Sequence, residues 1–316
     1  MIEWHSDQTA LPLVGTPQEK NSNSGQLHSW LLANKEGIQQ LLHRHGAILF
    51  RGFGVVSVQN FQDIASIFCD EFADYVGGNS PRTRVMSHVF TSTEYPKEER
   101  ISNHNEASYL KHMPNRILFC CLKKAEKGGQ TPLADCRRVL NRIDPQVRSR
   151  FERNGVRYVN NLHGGAGIGR SWMQAFDTKD RQEVERRLAE DGQAYEWRAD
   201  GGLRISMQAP AILRHPKTME EVWINQAEQW HPSSLDSTVR EELLSIVRED
   251  ELPHNAFLGD GSPLRTQDLK NIRAAMAAEE RVFEWQEGDV LLCDNLLVMH
   301  GRQPFSGDRK VVVAMG

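Results

Sequence analysis

The five cysteines, Cys69, Cys120, Cys121, Cys136 and Cys293, are an odd set without CxxC spacing. That argues against both a zinc-thiolate cluster and a disulfide framework, and leaves buried reduced thiols as the reading. No apolar run approaches the ~20 residues a membrane span needs. The start, "MIEWHSDQTALPLVG", also lacks a charged region followed by an apolar one, so a cytosolic protein without a membrane partner is expected. Charge of one sign is not in excess: 38 Lys and Arg face 42 Asp and Glu, for a net charge of -4. The basic residues are scattered, so a nucleic-acid partner is not expected and small molecules are. Repeats, low-complexity tracts and Pro- or Ser-rich linkers are missing as well, and residues 1–316 read as a single domain.

What remains is an ordinary globular composition, 39% hydrophobic and 25% charged, arranged mainly as strands with helical cover. Apolar spacing predicts a helix over 26–45 that stops at Gly46, followed by a buried strand in "AILFRGF". Ser57 is placed to cap a second helix, in "SVQNFQDIASIFCDEFA", with Phe61, Ile64, Ile67 and Phe68 on its apolar face. Strand patterns follow in "RVMSHVF", "RISNHNEAS" and "RILFCCLKKA", then helices over 137–154 and 171–192. The second of these, polar on most faces and ending at Gly192, suits the outside of a sheet. Shorter strands ("AYEWRA", "LRISMQ", "AILRH", "EVWINQ") and helices near 238–250 and 266–280 lead to a final pair, "DVLLCDNLLVMH" and "KVVVAMG". The turn "FSGDR" between them is a hairpin signal.

Chemistry enters at "ISNHNEASYL". In a strand, residues two apart share a face, so His104 and Glu106 project together. An HxE pair alone is ordinarily a polar strand edge, and a metal site needs a third ligand. Of the 12 histidines, His300 is the best placed, because it ends the apolar run "VLLCDNLLVMH" where a strand leaves the core. His163 and His231 fall in loops, and His43 and His45 close a helix, where the C-terminal dipole explains them. Converging, His104, Glu106 and His300 would form two histidines and one carboxylate with three positions left open, the signature of non-haem Fe(II) oxygenases. Such iron draws electrons from a 2-oxo acid, whose distal carboxylate needs a cation. Arg309, nine residues past His300, offers its planar fork, and Arg302 competes for the role.

"HNEASY", "GGQTPLAD" and "WQEGDVLLCDNLLVMHGRQPFSGDRKVVVAM" occur in the order found in TauD/TfdA-like Fe(II)/2-oxoglutarate dioxygenases, and the chain resembles that family, most of all its SyrP-like branch. The resemblance implies a double-stranded β-helix (jelly-roll, cupin-like) core with helical insertions. It implies Fe(2+) on His104, Glu106 and His300, with Thr131 and Arg309 on 2-oxoglutarate and O2 as the other cosubstrate. It further implies hydroxylation of an unactivated C–H bond in an amino acid, free or tethered to a peptidyl carrier protein, in a natural-product pathway, with succinate and CO2 as co-products. Related halogenases replace the carboxylate ligand with a small residue; Glu106 is retained, which favours hydroxylation. Desaturation, cyclisation or another small acid such as a sulfonate are the alternatives within the fold.

For the substrate, Asn103 and Asn105 flank the ligand His104, and "VWINQ" (Trp223, Asn225, Gln226) with His231 resembles a segment near the family's site. Arg170 and Trp172 could receive an amino acid carboxylate or a pantetheine arm, although Trp172 reads equally as the first apolar anchor of its helix. Rival functions fit less well. A cupin-like isomerase or hydrolase has no need of Thr131 and Arg309 together, and a noncatalytic binding protein would be expected to lose a ligand. In a nicotinamide enzyme "GGAGIG" would misplace the last glycine, where Arg170 stands.

Overall fold

The computed structural model describes residues 2–5, 11–73, 83–92 and 95–316. Its centre is the apolar run at the end of the chain. Val290–Asp294 lies antiparallel between Ala47–Phe50 and Arg116–Lys123, with Leu292 opposite both Ile48 and Leu118. Lys310–Met315 pairs with the far side of Arg116–Lys123. These four form the middle of an eight-stranded sheet whose edges are Ile2–His5 and Arg84–Met86. They are buried on both faces, which is why they read as continuous apolar runs and not as alternations.

Alternate residues of these strands enter different cores. Val290, Leu292, Leu118, Cys120 and Val312 join Leu31, Leu42, Phe61 and Ile64 of the N-terminal helices. Leu291, Cys293, Phe119 and Val313 face inward, towards Leu133, Val298 and Met299. The latter belong to a second, three-stranded sheet, in which Val298–Arg302 runs between Ile101–His104 and Leu133–Asp135. The two sheets make a jelly roll, mainly β with helical cover, as the sequence predicts. A four-stranded sheet, ordered Ala194–Trp197, Leu203–Ala209, Val156–Leu162 and His254–Leu258, is inserted between Leu133–Asp135 and Val290–Asp294. Its Tyr158, Leu162 and Ile205 pack into the same inner core.

Several long helices are interrupted. The one expected over 26–45 breaks into Ser24–Ala33 and Lys35–His45 at Asn34, whose side-chain amide donates to the Trp30 carbonyl. That over 137–154 becomes Cys136–Arg142 and Pro145–Asn154, because Pro145 cannot continue a helix and Asp144 caps the next one. That over 171–192 splits into Trp172–Phe176 and Arg181–Glu190 at Asp177, which is left-handed. The expected terminal hairpin is not formed. Val298–Arg302 and Lys310–Met315 lie in different sheets, and Phe305–Ser306 pairs instead with Lys127–Gly128.

Candidate metal centre

The strand Ile101–His104 ends at His104, and Ala107, with φ 54°, turns the chain away. Glu106 therefore stands in a turn, not in a strand as expected, and it is the bend that brings its carboxylate across. His104 and His300 are direct cross-strand partners, with ring centroids 4.6 Å apart. Nε2 of His300 lies 3.7 Å from Oε2 of Glu106, and one donor atom from each of the three residues falls within 4.8 Å of the others. Nδ1 of His104 sits 2.9 Å from the Ser102 carbonyl. Assigned as the donor there, it places the ring's lone pair on Nε2. Glu106 and His300 are each only 5% exposed. Two imidazoles and a carboxylate converging in such a place are a donor set suited to Fe(II).

Amides hold this turn from behind. Asn295 accepts from the Glu106 N–H at 2.9 Å and donates to the Glu106 carbonyl at 3.0 Å, so one side chain brackets the whole residue. Asn105, fully buried, points the other way from His104 and donates to the carbonyls of Asn295 (2.6 Å) and Val298 (3.3 Å). Gln226 donates to the Asn105 carbonyl at 2.6 Å. Asp294, next to Asn295, bonds Arg116 at 2.7 Å and His215 at 3.3 Å. Burial alone would raise its carboxyl, but the His215 hydrogen bond and the Arg116 charge hold it below the ordinary value. Arg116 also reaches His43, at 3.3 Å. The cluster of His43, His215 and Asp294 thus already contains its cation and serves as a buried ion network under the metal turn.

Arg309 and Thr131 meet the histidines in a cavity of about 30 Å³, lined also by Ser92, Phe119 and Arg302. The Arg309 guanidinium donates to the Gly129 carbonyl at 3.0 Å and to Ser92 Oγ at 3.2 Å, and among the described residues no carboxylate pairs with it. Burial, then the neighbouring Arg302, pull its pKa down to about 10. A buried cation facing a cavity is poised for an anion. Trp285 donates its indole N–H to Thr131 Oγ1 at 3.1 Å, which leaves the hydroxyl hydrogen of Thr131 to donate. Gly129 adopts φ 73°, and a Cβ there would come within 2.9 Å of Arg309 Cδ, which accounts for the second glycine in "GGQT". Arg302 has a different job. Its fork donates to the carbonyls of Tyr95, Pro96 and Glu99, tying that loop to the strand.

The residues expected to touch substrate are engaged elsewhere. Asn103 donates to Glu280 at 2.7 Å, and Asn105 and Gln226 spend their amides on the metal turn. Asn225 bonds the Ala211 carbonyl and the Ala227 N–H. His231 accepts from the Ser233 N–H, and burial lowers its pKa to about 4. Arg170 donates to the Gln174 carbonyl, and Trp172 is a core anchor against Trp197. None of them lines the cavity that holds the histidines. Asn295 was missed as a site residue, although it follows Asp294 in the very run that supplies His300.

A family model described as taurine catabolism dioxygenase TauD, TfdA family matches residues 4–315. The chain is 40% identical over 278 residues to the dapdiamide synthesis protein DdaC of Enterobacter agglomerans, covering 88% of this chain and 84% of that one. It is 33% identical to a clavaminate synthase-like protein of Arabidopsis thaliana, covering 89% and 84%. Among solved structures, an asparagine oxygenase in complex with Fe(II), 2S,3S-3-hydroxyasparagine and succinate matches with a TM-score of 0.56 at 13% identity, covering 91% of this chain and 79% of that one. PvcB of Pseudomonas aeruginosa matches with a TM-score of 0.55 at 14% identity, covering 96% and 84%. With the family model spanning nearly every residue around this centre, the chain belongs to the TauD/TfdA family of dioxygenases and takes Fe(II), 2-oxoglutarate and O2 as its cofactor and cosubstrates.

Proposed function

We propose that His104, Glu106 and His300 bind the iron, that Arg309 and Thr131 bind 2-oxoglutarate, and that the protein hydroxylates an unactivated C–H bond of an amino acid in a natural-product pathway. The observation that carries this reading is one cavity shared by the two histidines, an arginine that has no carboxylate partner among the described residues, and a threonine whose hydroxyl accepts from Trp285 and keeps its own hydrogen to donate. Iron loaded there with 2-oxoglutarate and O2 supplies the oxidising power, with succinate and CO2 as co-products. The chain supplies position. Arg309 grips the distal carboxylate through its fork, Thr131 donates to it, and the rigid turn under Glu106 keeps the three ligands on one side. Glu106 fills the place a halide would need, which favours oxygen insertion over halogenation.

The 40% identity to a dapdiamide synthesis protein supports biosynthesis on an amino-acid scaffold. Turnover of free amino acids and of the same residues on a carrier protein, read as a mass gain of one oxygen with succinate release, separates the two forms of substrate. No helix among the described residues is long and apolar enough to cross a membrane, in keeping with a cytosolic enzyme. Side chains of the jelly roll and of the inserted sheet share one core, which supports a single catalytic domain. Anaerobic Fe(II) and 2-oxoglutarate added to the metal-free protein are expected to give a visible charge-transfer band, weakened in Glu106→Ala and His300→Ala. A wild-type spectrum that does not change refutes the assignment.

A further inference from the structure

The inner face of the inserted sheet carries one residue out of keeping with its neighbours. Along Val156–Leu162 the inward positions are Val156, Tyr158, Asn160 and Leu162, and on Leu203–Ala209 they are Leu203, Ile205, Met207 and Ala209. Asn160 is 7% exposed, and its side chain makes no hydrogen bond among the described residues, with Oδ1 fully buried. Leaving a buried carbonyl oxygen without a donor costs about 1–3 kcal/mol, so an apolar side chain would serve the sheet better. Asn160 lines a cavity of about 180 Å³, roughly the liquid volume of six waters. Tyr109, three residues past Glu106 on the turn that carries the carboxylate, lines it as well.

The rest of the lining narrows the chemistry. Leu162, Phe176, Ile205 and Met207 give an apolar wall. At the mouth stand Glu190 and Asp191, the last residue and the C-cap of Arg181–Glu190. Arg187 lines the cavity beside them and pairs with Glu183, and Glu190 pairs with Arg186, so the mouth is polar with its charges balanced, and the choice of occupant falls to the buried end. At the other end, the Asn160 side chain offers one acceptor and two donors, the complement of a primary carboxamide, with which it can exchange two hydrogen bonds.

The geometry points to this cavity as the subsite for the part of the substrate away from the reacting carbon, and to a carboxamide-bearing amino acid as its occupant, with Asn160 as the specificity determinant. The inference rests on the iron and 2-oxoglutarate reading for its place in the reaction, but not for the binding itself. A site built to hydrogen-bond a polar group discriminates strongly against analogues that lack it.

Calorimetric titration tests it with L-asparagine and L-glutamine against L-aspartate, L-glutamate and L-leucine, on the protein with and without Fe(II) and 2-oxoglutarate under nitrogen. At least one carboxamide is expected to bind ten-fold or more tightly than its carboxylate counterpart and leucine. Asn160→Leu, which keeps the volume and suits the apolar face, is expected to bring the series within about threefold. Met207→Trp, which fills the cavity from the neighbouring strand, is expected to weaken the favoured ligand by a similar factor. Equal affinities in the wild type, or a carboxamide preference that survives Asn160→Leu, overturn the proposal. Absence of the charge-transfer band before any amino acid is added speaks instead against the metal centre, and the titration without iron still decides the pocket.

Discussion

Glu106 is fixed at both its N–H and its carbonyl by the single side chain of Asn295. Removing a residue that orients a metal ligand typically costs ten- to a hundredfold in metal affinity. Asn295→Ala is accordingly expected to weaken Co(II) or Fe(II) binding by about that factor, as read by spectroscopic titration, while Asn161→Ala, whose amide bonds Asp250 and Leu252 far along the chain, leaves metal affinity as it is. The two buried arginines separate in the same way. Arg309 lines the cavity and has no carboxylate partner among the described residues, whereas Arg302 holds three backbone carbonyls. Arg309→Ala is expected to raise the 2-oxoglutarate concentration needed for half-saturation by about ten- to a hundredfold, on the scale of a lost charge-assisted pair, and Arg302→Ala by much less. The opposite order would move the anchor to Arg302. At this scale the candidate residues His104, Glu106, His300 and Arg309 were picked out by spacing and motif order, because each is a residue type with few other uses in its context, and the fold gathers donor atoms of the first three within 4.8 Å of one another. Asn295 was not, since its partner lies 189 residues away.

Among the elements, the strap around Gly128 and Gly129 ties Arg309 to the short ladder with Phe305–Ser306. Gly129→Ala places a Cβ 2.9 Å from Arg309 Cδ at a backbone angle of φ 73° that disfavours side chains. Weaker 2-oxoglutarate binding with unchanged metal binding is the expected result, checked by titrating each against the variant. The turn after His104 is expected to be as sensitive. Ala107 holds φ 54°, where a β-branched residue is strained, so Ala107→Val should cost ~1–3 kcal/mol in denaturant unfolding and Ala107→Gly should not. Strand and helix patterns were legible wherever the apolar period was long. The breaks at Asn34 and Asp177 were not, because the apolar spacing continues across them and each is set by a local backbone angle and one hydrogen bond. Gly129 belongs to the "GGQT" motif, but only its closeness to Arg309 says why a glycine is there.

Over the whole molecule, burial leaves His254 and His231 with pKa values lowered to about 4, desolvation being the first cause for both. His254 packs against the edge of Trp230, which donates in turn to Gln226 of the metal turn's scaffold. In the unfolded chain these histidines titrate near 6.5, so between about pH 6.5 and 4 the unfolded state binds more protons than the folded one. Their contribution to stability is complete above 6.5 and is lost as pH falls towards 4. The thermal midpoint should therefore drop between pH 7 and pH 5, and less steeply in His254→Phe, as followed by circular dichroism. The amino-acid sequence by itself determined the β-rich class and the types of the candidate donors and candidate cation, because hydrophobic period and the chemistry of His, Glu and Arg are properties of the residues. Tertiary structure alone decided that the terminal strands separate into two sheets, that Asn105 and Gln226 serve the turn, and that Asn160 faces a cavity. Burial and hydrogen-bond partnership are relations between residues distant in the chain, and only the folded chain brings them together.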